Sequence, residues 1–391
     1  MPVINRIAAF HDELTAWRRD LHAHPELGFE EHRTSAFVAG KLAEWGITVT
    51  LGIAGTGLVG TLRVGASPRT IGIRADMDAL PMAEGGSLAH RSQREGVMHA
   101  CGHDGHTTML LGAARYLAET RNFDGTVHFI FQPAEEGLGG GRKMVEEGLF
   151  KRFPCDAVYG AHNDPSLPVG TILAAPGLAS ACSDRFWITV TGEGGHGARP
   201  HLAIDPVLVG AHIVLALQSV VARRLDPADP AVVSVTQFHA GSTGNVIPAE
   251  AVLNGTARAL TATVQDRLAA LITEIAEGTA KAHGARAVVY YRRGYPPVVN
   301  AEDPTDRAAA AAERVVGTAG VLRAAAPMLG GEDFAYMAAA VPGCFVRIGQ
   351  ADPERGGVGV HHPDYDFNDA ILPIGASLWA TLVEQTLDHR G

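Results

Sequence analysis

Within Met98–Thr107 the chain sets three imidazoles (His99, His103, His106), one thiol (Cys101) and one carboxylate (Asp104) around Gly102 and Gly105. Soft and borderline ligands at this density suit a transition metal, and the glycines let the backbone bend sharply between them. The segment reads as a loop that anchors a metal centre for hydrolysis. Its constraint on the fold is direct: other parts of the chain must bring the remaining ligands to this loop.

Predicted strand ends supply the candidates. Ile7, Phe10, Leu14, Trp17 and Leu21 keep helical spacing over Ile4–Leu21, and a second helix is predicted over Arg33–Trp45. Between them Leu21–Glu31 is a polar connector broken by Pro25 and Gly28. Strands over Gly57–Val64 and Thr70–Ala75 follow, the second ending in Asp76-Met77-Asp78. Carboxylates at the carboxyl end of an apolar strand stand where open α/β sheets place their ligands. A helix after Thr107 leads to a buried strand over Val127–Phe131, which ends in Gln132-Pro133-Ala134-Glu135-Glu136-Gly137. Neighbours on an extended segment face different ways, so one of Glu135 and Glu136 can bind metal while the other addresses a water. A further strand, Ala157–Ala161, delivers His162 at its end.

From Ala181 to Gly294 the texture changes. The pattern predicts a strand over Arg185–Thr191, a helix opening with Asp205 and Pro206, strands over Ala231–His239 and Ala251–Leu260, a helix over Thr263–His283 closed by Gly284, and a strand over Arg286–Tyr291. That order, βαββαβ, is a complete ferredoxin-like unit. Ligand-type residues resume after it, so it reads as an insertion, residues 181–294, into a larger α/β domain made of residues 1–180 and 295–391. The returning chain carries a helix over Asp303–Val316, the turn Gly330–Phe334, a strand over Cys344–Ile348, a glycine-rich loop reaching His361-His362-Pro363, and a packing helix over Asp369–Asp388.

Whole-chain properties narrow the partners. At 391 residues two domains are expected. A net charge of −10 argues against nucleic acid or an anionic membrane, since both require a basic surface. Cys101, Cys155, Cys182 and Cys344 have no repeated spacing, which fits a reducing cytoplasm better than a disulfide framework. Met1–Asp20 is charged throughout and lacks the apolar core of a signal peptide. The longest apolar run, Leu208–Ala222, is interrupted by His212, Gln218 and Ser219 and reads as a buried helix too short to span a bilayer.

Taken together, Cys101, His103, Glu135, Glu136, His162 and one of His361 and His362 exceed what a single catalytic zinc needs, and suggest two metals with a shared ligand. At this point the sequence resembles the co-catalytic metallopeptidase superfamily. The resemblance is carried by Leu21–Glu31, Arg74–Pro81, Met98–Thr107, Gln132–Gly137, Gly194–His201, Gly244–Pro248, Gly330–Phe334 and His361–Phe367, and is most specific in Met98–Thr107 and Gln132–Gly137. Within that superfamily it is most similar to the N-acyl-amino-acid amidohydrolases, the branch of hippurate hydrolases and auxin-conjugate hydrolases.

The resemblance implies a mixed-sheet α/β catalytic domain with an inserted lid that also mediates dimerisation, and two divalent ions, zinc, manganese, cobalt or nickel. It implies that Cys101 bridges the metals, that His103, Glu136, His162 and His361 complete the ligand set, and that Glu135 is the general base. It assigns His196 to the oxyanion, Asn245 and Arg258 to the substrate's free carboxylate, and Asp78 to orienting a ligand. Asp76 departs from the wider superfamily, which has a histidine at that place. The implied reaction is hydrolysis of N-acyl or N-aroyl amino acids by a cytoplasmic homodimer or dimer-based oligomer. A dipeptidase or carboxypeptidase would use the same machinery. A silent metal-binding scaffold would have no use for Glu135.

Overall fold

The structure, a computed structural model, describes residues 3–351 and 358–389, so part of the glycine-rich loop expected ahead of His361 lies outside the described residues. The chain divides into two compact units. One is Met1–Ala179 with Val299–Ala326 and Asp333–Gly391; the other is Ser180–Val298 with Pro327–Glu332. The second unit thus runs past the expected end at Gly294 and takes in a short piece of the returning chain. Two interactions tie that piece to it: Ala181 N donates to Met328 O at 2.8 Å and Arg258 Nε to Leu329 O at 3.2 Å.

The first unit begins with a short turn of helix, Asn5–Ala8, then α1 (His11–Ala23) and α2 (His32–Glu44). The helix expected over Ile4–Leu21 is therefore broken near Phe10, although its apolar positions stay buried on both sides of the break. Strands β1 (Thr48–Ile53), β2 (Gly57–Val64) and β3 (Thr70–Asp76) follow, then α3 (His103–Thr120), β4 (Gly125–Gln132) and β5 (Ala157–Pro168). β1 had no counterpart in the sequence reading; it is a largely exposed strand with little apolar signal.

The second unit holds β6 (Ser183–Thr191), α4 (Pro206–Ser219), β7 (Ala231–Ala240), β8 (Glu250–Ala259), α5 (Ala262–Ala282) and β9 (Arg286–Tyr295). The chain then returns to the first unit with α6 (Glu302–Val316), β10 (Gly343–Ala351) and α7 (Leu372–Thr386).

The large sheet is mixed, in the order β1-β2-β4-β3-β5-β10, and ends in two short strands, Ile172–Leu173 and Val321–Leu322. β4, β3, β5 and β10 run parallel, with Ile71 opposite Val127 and Arg347 opposite His162; β2 and β1 are antiparallel additions. A parallel core is buried on both faces, which is why β4 is buried at every position. Leu14, Trp17, Leu110, Leu117, Trp379 and Leu382 pack in the core beside this sheet, each such side chain contributing about 1.5–3 kcal/mol by leaving water. His162 lies inside β5, not at a strand end as expected, because the pairing with β10 continues past it to Asp164.

The second unit is an antiparallel sheet in the order β7-β8-β6-β9. That order is the ferredoxin-like one, and burial alternates along β8 as a sheet with one covered face requires. Asp205 caps α4 by accepting from Val207 N at 2.8 Å, and Thr261 caps α5 through Val264 N at 3.2 Å. The expectation of a buried helix over Leu208–Ala222 is corrected. α4 continues as a wider turn to Arg224, a 19-residue run whose most apolar 18-residue window has a mean hydropathy of 1.6 and is only a third buried. Leu208 is 54% and Leu215 69% exposed, because one face alone packs on the sheet.

Candidate metal centre

Met98–Thr107 is only partly a loop. Gly102, at φ 104°, turns the chain so that α3 starts at His103, and a Cβ there would stand 2.2 Å from Asn163 Oδ1. Glycine is the residue this turn admits. Asp104 in the first turn of α3 complements the helix dipole. Met98 is zipped to Leu80 by a reciprocal pair of 3.0 Å hydrogen bonds, and His361 N donates to Ala100 O at 2.7 Å. The strand end carrying Asp78 and the loop carrying His361 are thereby docked on either side of Cys101.

Two donor triplets result. Cys101, His103 and His162 place their ligand atoms within 4.8 Å of one another, as do Cys101, Glu136 and His361, and Cys101 is common to both. The sets His103, Glu135, Glu136 and Asp76, His103, His106 meet the same distance. The imidazoles are aimed by their second nitrogens. His103 Nδ1 donates to Asp78 O at 2.9 Å and Oδ1 at 3.1 Å; His162 Nδ1 donates to Asn163 O at 2.7 Å. Each Nε2 lone pair is thereby turned toward Cys101, the arrangement that a metal-binding histidine needs. Burial pushes His162 down to about 3, so it is neutral, the ligating form. His103 Nε2 is buried without a hydrogen-bond partner, with Asp76 Oδ2 3.6 Å away. Thiol, imidazole and carboxylate donors with an orphaned buried nitrogen fit a pair of borderline divalent cations.

The side chains of His361 and His362 point in different directions. His361 Nε2 lies 3.2 Å from Glu136 Oε1, whereas His362 Nδ1 turns back to accept from Asp364 N at 3.1 Å. Against the upward push of burial, His361 and His103 hold the Glu136 carboxyl below its ordinary value. Glu135 is 7% exposed and its Oε1 accepts from Asp333 N at 3.3 Å. Asp78 holds two of these elements at once, since its Oδ2 also accepts from Glu136 N at 2.9 Å.

Of the residues that support this centre, Arg74, Gln132, Asp333 and His22 were given no role by the sequence, whereas Asp104 and His106 read there as supporting groups. Arg74, fully buried, joins Asp76 at 2.8 Å, Gln132 at 2.8 Å and Asp333 at 3.0 Å. Against the upward push of burial, Arg74, His103 and His106 hold the Asp76 carboxyl well below its usual range. His106, between Asp76 Oδ1 at 2.6 Å and Asn163 Oδ1 at 2.7 Å, is thereby committed to supporting contacts. Behind α3, Asp104 accepts from His22 Nδ1 at 2.9 Å. The signal for most of these was present in the segments Leu21–Glu31, Arg74–Pro81, Met98–Thr107, Gln132–Gly137 and Gly330–Phe334, but it carried no indication of which residue met which.

The remaining candidates lie in the second unit. His196 and Asn245 are brought together there by the pairing of His196 with Val246 and by Gly197 N donating to Asn245 O at 2.9 Å. His196 Nδ1 accepts from Ala198 N at 3.0 Å, which leaves the ring proton on Nε2 as a donor. Arg258 is half-buried, with Nε on Leu329 O and Nη1 on Ala257 O at 3.0 Å and Asp184 O at 3.4 Å.

A parallel-cored α/β unit that converges a thiol, imidazoles and carboxylates beside a glutamate, with a ferredoxin-like insert, defines a two-unit hydrolase. The chain belongs to Peptidase family M20/M25/M40, which matches residues 72–385. It is 40% identical over 384 residues to IAA-amino acid hydrolase ILR1-like 2 of Arabidopsis thaliana, covering 97% of this chain and 86% of that protein. It is 39% identical over 382 residues to hippurate hydrolase of Campylobacter jejuni, covering 98% of each. Among solved structures, a dinuclear metal binding peptidase of the M20 family from Bacillus subtilis superposes with a TM-score of 0.83 at 36% identity, covering 97% of this chain and 99% of that one.

Proposed function

We propose that this protein hydrolyses the amide bond of N-acyl or N-aroyl amino acids, hippurate-like, N-acetyl or indole-acetyl conjugates among them, to a carboxylic acid and a free amino acid. The observation that carries the reading is the sharing of Cys101 by two donor triplets with Glu135 beside them. The names of the similar hydrolases point to the same substrate class. Cys101, His103, Glu136, His162 and His361 would hold two divalent ions, zinc, manganese, cobalt or nickel. When bound, such ions supply Lewis-acid polarisation of a carbonyl and a lowered pKa for water.

The chain's own residues do the rest. Glu135 takes a proton from the attacking water and returns it to the departing nitrogen, so the amine leaves neutral. Asp78 keeps His103 and the Glu136 peptide in place while this happens. His196 is the proposed oxyanion donor, supported by its proton on Nε2. Asn245 and Arg258 are the proposed grip on the substrate carboxylate, Arg258 exchanging a main-chain carbonyl for it. A cytoplasmic homodimer is supported by four unpaired cysteines and by the open apolar face of α4.

The test is chelation followed by reconstitution with each metal, assayed on hippurate, N-acetyl amino acids, indole-acetyl conjugates and simple dipeptides. Activity lost on chelation and restored on acylated amino acids is expected. Turnover confined to dipeptides with a free amine overturns the substrate assignment.

A further inference from the structure

Glu135 is delivered by an unusual piece of backbone. Ala134, immediately before it, is fully buried and lies at φ 54°, the left-handed region that a residue with a Cβ seldom occupies. Such a conformation is strained and persists only where its surroundings enforce it. The enforcing contacts here come from the connector between α1 and α2. Glu31, fully buried, accepts from Ala134 N through Oε1 at 2.8 Å and from the Thr56 hydroxyl through Oε2.

The turn is also closely walled by backbone. A Cβ on Gly28 would stand 3.0 Å from both Ala134 Cα and Cβ, and one on Gly140 would stand 1.7 Å from Pro133 O. Gly140 N in turn donates to Ala134 O at 2.9 Å. Burying a carboxylate is expensive, and burial raises the Glu31 pKa. Its place at the start of α2 offsets part of that cost through the helix dipole. What Glu31 provides at Ala134 is a directional acceptor oxygen.

We propose that Glu31 is a positioning residue for the hydrolysis: by accepting from Ala134 N it holds the left-handed turn that aims Glu135. The inference rests on the assignment of Glu135 as general base. The Glu135–Glu136 pair is then pinned at three points, Ala134 N by Glu31, Glu136 N by Asp78 and Glu135 Oε1 by Asp333 N. Glu31 acts through the backbone alone, so an uncharged acceptor of the same shape should serve nearly as well.

The experiment compares Glu31→Leu, Glu31→Gln, Thr56→Val, Glu31→Leu/Ala134→Gly and Glu135→Gln in the metal-loaded enzyme, with kcat, KM, metal content and thermal unfolding measured for each. Glu31→Leu is expected to lose about 100-fold in kcat, the scale of a small misplacement, with KM within about threefold and metal content unchanged. Glu31→Gln keeps an acceptor for Ala134 N and should stay within about fivefold of the parent. Glycine at position 134 adopts the left-handed turn freely, so the double variant should recover about tenfold over Glu31→Leu. A Glu31→Leu enzyme with parental kcat, a Glu31→Gln enzyme as impaired as Glu31→Leu, or no recovery in the double variant overturns the proposal.

If Glu31→Leu does not fold, Thr56→Val decides. It frees one end of the Glu31 carboxylate and should cost about tenfold in kcat; no loss overturns the inference. Glu135→Gln separates the two levels: inactive Glu135→Gln beside active Glu31→Leu removes only the positioning role, whereas active Glu135→Gln removes the base assignment and the positioning role with it.

Discussion

Asp78 is the residue whose replacement tests the centre's geometry most directly. It is 1% exposed and its carboxylate accepts from His103 Nδ1 at 3.1 Å and Glu136 N at 2.9 Å, so a single side chain orients one proposed ligand and the peptide of another. Hydrogen bonds to a buried charge contribute about 1.5–3 kcal/mol each. Not all of that is lost in Asp78→Ala, because His103 Nδ1 keeps the main-chain oxygen of residue 78 at 2.9 Å and hence its tautomer. The expected outcome is metal affinity weakened about 10–100-fold, the usual effect of removing a group behind a ligand. In the metal-free protein Glu136 N loses its acceptor, at a cost of about 1–3 kcal/mol in urea unfolding. Asp78→Asn should be no better, since an amide offers one acceptor and must turn its NH2 toward the other donor. Chelator competition with zinc or manganese measures the affinity. Dissociation constants for both variants within twofold of the parent would refute the reasoning.

Because Cys101 belongs to both donor triplets, Cys101→Ser should lose both equivalents of metal together; mass spectrometry finding two equivalents retained would remove Cys101 from the ligand set. Stability should peak between mildly acidic and mildly alkaline pH. Burial depresses His128 to about 4, below its unfolded value near 6.5, so its contribution is full above about pH 6.5 and is lost as pH falls toward 4, up to about 3 kcal/mol. Replacing His128 with Phe should flatten that acid limb in urea unfolding at several pH values, and an unchanged slope would reject the assignment. Burial alone would lower His22, but its bonds to Asp104 and Glu84 carry it to about 9. Its contribution is therefore full below about pH 6.5 and lost as pH rises through 9, which His22→Leu should abolish in the same series.

Local chemistry determined much of this protein in advance. Periodicity located the buried parallel strands, the cap at Asp205 and the strand–helix order of the second unit, because each depends on residues close in sequence; the cap at Thr261 appeared only in the structure. The composition of Met98–Thr107 and Gln132–Gly137 marked the ligand types for the same reason. The exposed strand β1 and the open face of α4 were not legible: one has little apolar signal, and the other has an apolar signal that packing does not use.

Tertiary structure alone decided which donors meet. It turned His361 rather than His362 toward Glu136, placed Cys101 between two triplets, and committed His106 to Asp76 and Asn163. It also set Glu31 against Ala134, residues 103 positions apart. Ligand type is a property of side chains, and the sequence carries it residue by residue. Ligand role is a matter of ångströms between segments remote in the chain, and it exists only once the parallel strands and the connector beside them have packed.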